Sequence, residues 1–228
     1  MKITFFTNFL THHQLPFCLE MQKIYGDDFK FISTEKINDE RLALGYSNMD
    51  DLYDFVIKSY ESKEEYDKAM DLALNSDVVI AGSTTSDEYV KERLKLDKLT
   101  FRYYARIFYK KSLSIFDFKN LRKVYDRHFR YKKNKNLYLL CSSSYGPNDF
   151  NRFGMYINKA YKWGYFLETK TYDEKELLKQ KENDIPLILW CGRLIKVKHP
   201  EYVIKLANYL RKEGYKFKIQ VLGNRPII

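Results

Sequence analysis

Glycine is missing from the start of this chain: none stands between Met1 and Tyr25, and only nine occur in 228 residues. A G-x-G-x-x-G fingerprint after the first strand is therefore excluded, and with it most of the case for a nicotinamide dehydrogenase. Cysteine is scarce too. Cys18, Cys141 and Cys191 are odd in number, far apart and without metal-ligand spacing. They read as reduced thiols in or near the core, and neither a disulfide framework nor a bound metal is expected. No stretch approaches the roughly 18 apolar residues that a membrane-spanning helix needs. The apolar start at Ile3 is broken by Thr7 and Asn8, unlike a signal peptide. The chain accordingly reads as cytosolic.

What is abundant is aromatic and basic. Twenty Tyr and sixteen Phe accompany a hydrophobic fraction of 45%, enough for a substantial core. Forty Lys and Arg against thirty Asp and Glu leave a formal charge of +10. Such a balance favours anionic partners, whether phosphorylated metabolites, nucleic acid or a membrane surface. The length allows one large domain or one and a half of ordinary size.

In chain order, Lys2–Phe6 predicts a strand, Leu15–Tyr25 a helix and Phe29–Ile32 a second strand, the opening of a doubly wound α/β sheet. The loop between the first two elements holds Asn8, His12, His13 and Gln14. Thr11 or His12 would cap the helix if these groups simply face water. The functional alternative follows from position, because a loop at the carboxyl end of the first strand faces the ligand crevice of such a fold. His13 is the first choice for contact with a sugar or acceptor hydroxyl. Thr34–Asp51 is polar and unassigned, Asp54–Lys58 predicts a short strand, and Lys63–Leu74 an amphipathic helix. Asp77–Ala81 predicts a buried strand. It ends in Gly82-Ser83-Thr84-Thr85-Ser86, a hydroxyl-rich loop that either caps the next helix through Ser86 or binds an anion on its amides. Further strands are expected over Lys98–Tyr103 and Asn136–Cys141.

Between them lies the most basic segment. Eight Lys or Arg fall in Lys119–Lys135, and Lys119, Lys123, Arg127 and Arg130 recur at helical spacing with Phe116, Tyr125 and Phe129 interleaved. Two readings stand: a solvated helix with its aromatics turned inward, or a helix lying on an anionic membrane, each nearby cation adding about 1 kcal/mol. Nucleic acid is not expected, since the aromatic pattern of an RNA-binding strand is absent.

Pro186–Gly223 reads as strand, Gly-centred turn, helix, strand. Its turn carries Gly192-Arg193-Leu194 and, after three residues, Lys198. This stretch resembles the start of the second domain of family 4 retaining glycosyltransferases of the bacterial capsular and exopolysaccharide type. The Asn8–Gln14 loop, Leu99–Lys110, Ser143-Ser144-Tyr145 and Asn158–Phe166 look like the first domain of the same enzymes. The resemblance implies a GT-B fold: an N-terminal Rossmann-like doubly wound domain over residues 1–168 on the acceptor side, a linker with a short helix over 169–185, and the first βαβ unit of a second Rossmann-like, donor-binding domain over 186–228. It implies that Gly192, Arg193 and Lys198 hold the diphosphate of a UDP- or GDP-sugar, with no cofactor or essential metal. A hexose would pass, with retention, to a lipid-linked or growing saccharide.

Two departures accompany the resemblance. Where relatives carry an acidic residue after Tyr103, this chain has Tyr104-Ala105-Arg106. The paired Glu motif that orients the donor has no counterpart, and the sequence ends early in the second domain. The expectation is a truncated transferase that a partner chain could complete, cytoplasmic, either free or peripheral at the inner face of the plasma membrane. The alternatives are an inactive remnant or binding module, and a basic membrane-surface adaptor. No catalytic residue is assigned.

Overall fold

The computed structural model describes residues 1–83, 85–104, 118–181 and 185–223. Thr84, Ala105, Arg106, Phe116 and the Leu99–Lys110 likeness beyond Tyr104 lie outside the described residues. Two compact units are present, one of residues 1–38 and 46–168, the other of 39–45 and 169–228.

The first unit is built on β1 (Ile3–Thr7), α1 (Leu15–Tyr25), β2 (Phe29–Ser33), β3 (Val56–Lys58), α3 (Lys63–Asn75), β4 (Val78–Ala81), α4 (Asp87–Arg93), β5 (Thr100–Tyr104), α5 (Phe118–Arg127), β6 (Leu137–Cys141), α6 (Gly146–Asn151) and β7 (Ala160–Lys162). Its seven strands are all parallel, in the order β3-β2-β1-β4-β5-β6-β7. This is the Rossmann-like doubly wound α/β arrangement expected of the N-terminal half. Because helices cover both faces, the central strands are apolar at consecutive positions, and every residue of β1 is buried.

Strand alternation assigns those residues to two layers. Phe5, Phe31 and Ile80 are aligned across the sheet and pack with Cys18 of α1. Their neighbours Phe6 and Ile32 face the other way, onto Ala69 and Ala73 of α3 and Tyr89 of α4. Phe5, Phe6, Phe29 and Phe31 are completely buried, and each contributes roughly 1.5–3 kcal/mol. A third cluster, with Leu139, Phe150 and Met155, lies under α4 and α5.

The second unit holds α2 (Asp39–Ala43), α7 (Glu174–Gln180), β8 (Leu187–Cys191), α8 (Glu201–Lys212) and β9 (Lys218–Leu222). β8 and β9 are parallel, with Leu187 beside Lys218 and Cys191 beside Leu222, which makes β8, α8 and β9 the expected βαβ unit. Asp173 caps α7, accepting from the amides of Lys175 and Glu176.

Several local expectations are corrected. Thr34–Asp51 contains the one-turn helix α2. Between the Ser143-Ser144-Tyr145 and Asn158–Phe166 strings, the short helix α6 begins at Gly146, and Ala160–Lys162 is an edge strand. Ser86 caps nothing: its hydroxyl turns back to the carbonyls of Gly82 and Ser83. Cys18 and Cys141 are buried thiols as expected, but Cys191 is exposed.

One side chain ties the amino ends of the strands together. Arg93, at the end of α4, is fully buried. Its guanidinium donates to Thr100 Oγ1 and to the carbonyls of Ala73, Ser76, Asp77 and Leu99, at 2.7 to 3.1 Å. Burial pulls its pKa down to about 10, with Asp77 acting in the opposite sense, so the group stays charged at neutral pH. Arg93→Met leaves these acceptors without their donor, and the expected cost is about 3–5 kcal/mol in urea unfolding. Arg93→Lys should recover only part of it, since an ammonium cannot span five acceptors.

Candidate functional site

β1 and β4 are neighbours whose chains depart in opposite directions, so the crevice of the sheet opens at their carboxyl ends. The loop after β1 is held there by its backbone. Thr34 donates its amide to the carbonyls of Thr7 and Asn8, and its hydroxyl to Thr7. Deeper, the buried Asp50 carboxylate accepts from the Leu10 amide at 3.0 Å, Ser33 Oγ at 2.8 Å and the Tyr60 hydroxyl at 3.4 Å. Burial is the main influence on Asp50 and raises its pKa, against the lowering effect of these donors. Asp50 lies in the segment that sequence patterning left unassigned, so its part in fixing the loop had no visible signal.

The structure brings the four candidate residues of this loop together. His12 is exposed, while Asn8, His13 and Gln14 are half-buried. The expected side-chain cap on α1 is not made: the Thr11 carbonyl instead accepts from the amides of Gln14 and Leu15, with Pro16 in the first turn. The rings of His12 and His13 lie 4.0 Å apart, centroid to centroid, with Tyr165 4.4 Å from His13 and Tyr46 5.2 Å from His12. The His13 carbonyl accepts the Phe166 amide at 2.9 Å. Trp163 and Phe166 pack on Phe17 of α1, anchoring the segment that follows β7. The result is a cluster of two imidazoles and two phenol rings at the carboxyl end of β1, of which His12 and Tyr165 are exposed, chemistry suited to a polar ligand with one apolar face. Beyond β6, Ser142, Ser143, Ser144 and Trp163 line a cavity of about 310 Å³.

The loop after β4 is closed against the same end of the sheet. Gly82 donates its amide to Phe6 O at 2.8 Å, and a Cβ there would meet Tyr103 Cδ1 at 3.0 Å. Thr85 Oγ1 bonds both Ser83 Oγ and Thr34 Oγ1. Among the loop's described residues, the Ser83 and Thr85 hydroxyls bond each other and that of Ser86 turns to backbone carbonyls.

The basic segment is only partly a surface. Lys119, Lys123 and Arg130 are exposed, whereas Arg127 is buried and cannot reach a membrane. Arg127 lies beside the buried Val124 and His128 on the inner side of α5, where it meets Asp87 at 2.8 Å and donates to the Ser83 carbonyl at 2.6 Å. The same Asp87 binds Arg102 of β5 at 2.7 Å, and Arg102 is 2% exposed. Beside them His128 is fully buried, its Nδ1 2.8 Å from the Tyr156 hydroxyl. His128 Nε2 has no partner among the described residues. Tyr156 is held with φ 52°, in the left-handed region that a bulky residue seldom adopts. Sequence reading missed Arg102, Asp87, His128 and Tyr156; an Arg inside an apolar strand was the available signal.

In the second unit, Gly192, Arg193 and Lys198 share the loop between β8 and α8. Gly192 donates to the Leu222 carbonyl at 2.9 Å, and its own carbonyl lies so close to Gly223 that any Cβ there would overlap it. Arg193 is exposed, with Nη1 3.5 Å from Glu40 Oε1. Lys198 ends a single 3-10 turn, its side chain in solvent. Among the described residues, no group of three His, Cys, Asp or Glu could hold a metal ion, and no helix is long and apolar enough to cross a membrane.

No protein-family model matches this chain, and no curated protein does. Among solved structures, it is similar to UDP-N-acetylglucosamine 2-epimerase from Rickettsia bellii, with 10% identity and a TM-score of 0.46. The likeness covers 99% of this chain, which spans 62% of that one.

The buried imidazole yields a pH signature. Burial, and then the charges of Arg102 and Arg127, hold His128 well below its ordinary value of 6.5. Below that value the unfolded chain binds a proton that the folded chain refuses, so the stability contributed by neutral His128 is present above it and lost as pH falls. The stability difference between wild type and His128→Asn should change by up to about 1.4 kcal/mol per pH unit below the ordinary value, wild type losing more. Urea unfolding at several pH values measures it.

Proposed function

We propose that this chain works as part of a retaining family 4 glycosyltransferase in capsular or exopolysaccharide synthesis. On this reading residues 1–168 form the acceptor-side domain, 169–185 the linker and 186–228 the start of the donor-binding domain in a GT-B pair. The donor is a UDP- or GDP-sugar, and the acceptor a lipid-linked or growing saccharide.

The observation that carries the reading is the Gly192-Arg193-Leu194, Lys198 loop between a parallel strand and a helix. Open α/β sheets bind ligands at the carboxyl ends of their strands. The exposed Arg193–Glu40 pair is worth less than about 1 kcal/mol, so Arg193 can exchange it for a diphosphate at little cost. Arg193 and Lys198 would stabilise charge growing on the leaving diphosphate. Asn8, His12, His13 and Gln14, beside Tyr46 and Tyr165, would meet acceptor hydroxyls. Lys119, Lys123 and Arg130, next to the exposed Phe118, would hold the protein against the inner face of the plasma membrane.

Calorimetric titration with UDP- and GDP-sugars tests donor binding. At least one should bind, and Arg193→Ala should weaken it by roughly 10- to 150-fold, the range for a lost charged hydrogen bond. Heat from none of them, or equal affinity in the variant, would remove the donor role.

A further inference from the structure

We propose that the cleft between α4, α5 and β5 in the first unit is a second anion site that takes a phosphate group, independent of the loop holding Arg193. Its cavity of about 310 Å³ is lined by Asp87, Lys91, Arg102, Arg122, Asp126, Arg127, Arg130 and Tyr131. Both carboxylates are already shared. Asp87 holds Arg102 and Arg127, while Asp126 holds Arg122 and Arg130, four residues to either side on the helix. Lys91 has no ion pair among the described residues. Five cations therefore face two carboxylates, leaving three positive charges in excess around one cavity.

That excess includes groups the fold has taken out of water. Arg102 is 2% exposed, Arg127 is 8% exposed, and Arg102 Nε has no partner among the described residues. Burying two guanidiniums against a single carboxylate is unfavourable unless a further anion completes the set. A phosphate dianion supplies the charge and the acceptor oxygens, and guanidiniums preorganised by Asp87 bind it in fixed geometry. The cavity volume lies at the small end of ligand sites, which fits a phosphomonoester or pyrophosphate rather than a whole nucleotide sugar. A free phosphate compound and a phospholipid headgroup share this chemistry.

The test uses the full chain at constant ionic strength. Thermal unfolding is followed with inorganic phosphate or pyrophosphate, and co-sedimentation with phosphatidic acid vesicles against phosphatidylcholine vesicles. The variants are Lys91→Glu/Arg130→Glu, both positions being exposed, and Arg193→Ala. The expected result is a rise in melting temperature with the soluble anions, kept in Arg193→Ala and lost in the double variant. Vesicle binding with that same dependence, kept in Lys119→Glu/Lys123→Glu and without a soluble-anion shift, also supports the site and assigns the phosphate to a lipid; loss in that second double variant overturns the lipid assignment. A response in neither arm, or one that survives in the double variant or disappears in Arg193→Ala, overturns the proposal. Because donor binding is read separately with nucleotide sugars, its failure leaves this result standing.

Discussion

The first unit depends on one fully buried cation without a directly bonded carboxylate. Arg93 reaches the last turn of α3, the entry to β4 and the entry to β5, all through carbonyl oxygens except for Thr100 Oγ1. Carbonyls at a helix end lack intrahelical partners, so Ala73 and Ser76 would otherwise have to find water at a dry site. A guanidinium satisfies them together because its donors diverge in one plane. The amino ends of the two strands are thereby joined, and β5 starts in a register that aligns Arg102 with Ala81 and Leu139.

That alignment determines the electrostatics at the other end of the sheet. Arg102 and Arg127 compete for Asp87, and the same two charges help keep His128 neutral. The exposed cations of the β8–α8 loop are different in kind. Arg193 and Lys198 keep their hydration and can reorient, whereas Arg102 is already desolvated and held in place. The loop therefore presents mobile, hydrated charges, and the cleft presents charges fixed in place beforehand.

Much of the fold was legible in the sequence. β1, β2, β4, β6 and β8 are apolar runs bounded by polar residues, and α3 and α8 have clear helical spacing. The Asn8–Gln14 loop could be placed at the crevice because the strand before it and the helix after it were both visible. What escaped was buried charge. Arg102 sits between aromatic residues in a strand, and Arg127 belongs to a basic helical stripe whose other members face solvent. Nothing in composition tells a paired, desolvated guanidinium from a hydrated one, since only long-range contact with Asp87 makes the difference. Asp50 was hidden for the same reason, because its donors on Leu10 and Ser33 come from distant parts of the chain.

The contact between Gly192 and Gly223 has a consequence for how the β8–α8 loop could have diversified. The Gly192 carbonyl occupies the space that a side chain at position 223 would need, and Gly192 is bonded to the last residue of β9. The two strand ends are thus interlocked at their backbones. A side chain at position 223 would therefore displace the peptide immediately before Arg193, a constraint on the β8–α8 loop that comes from outside the loop itself.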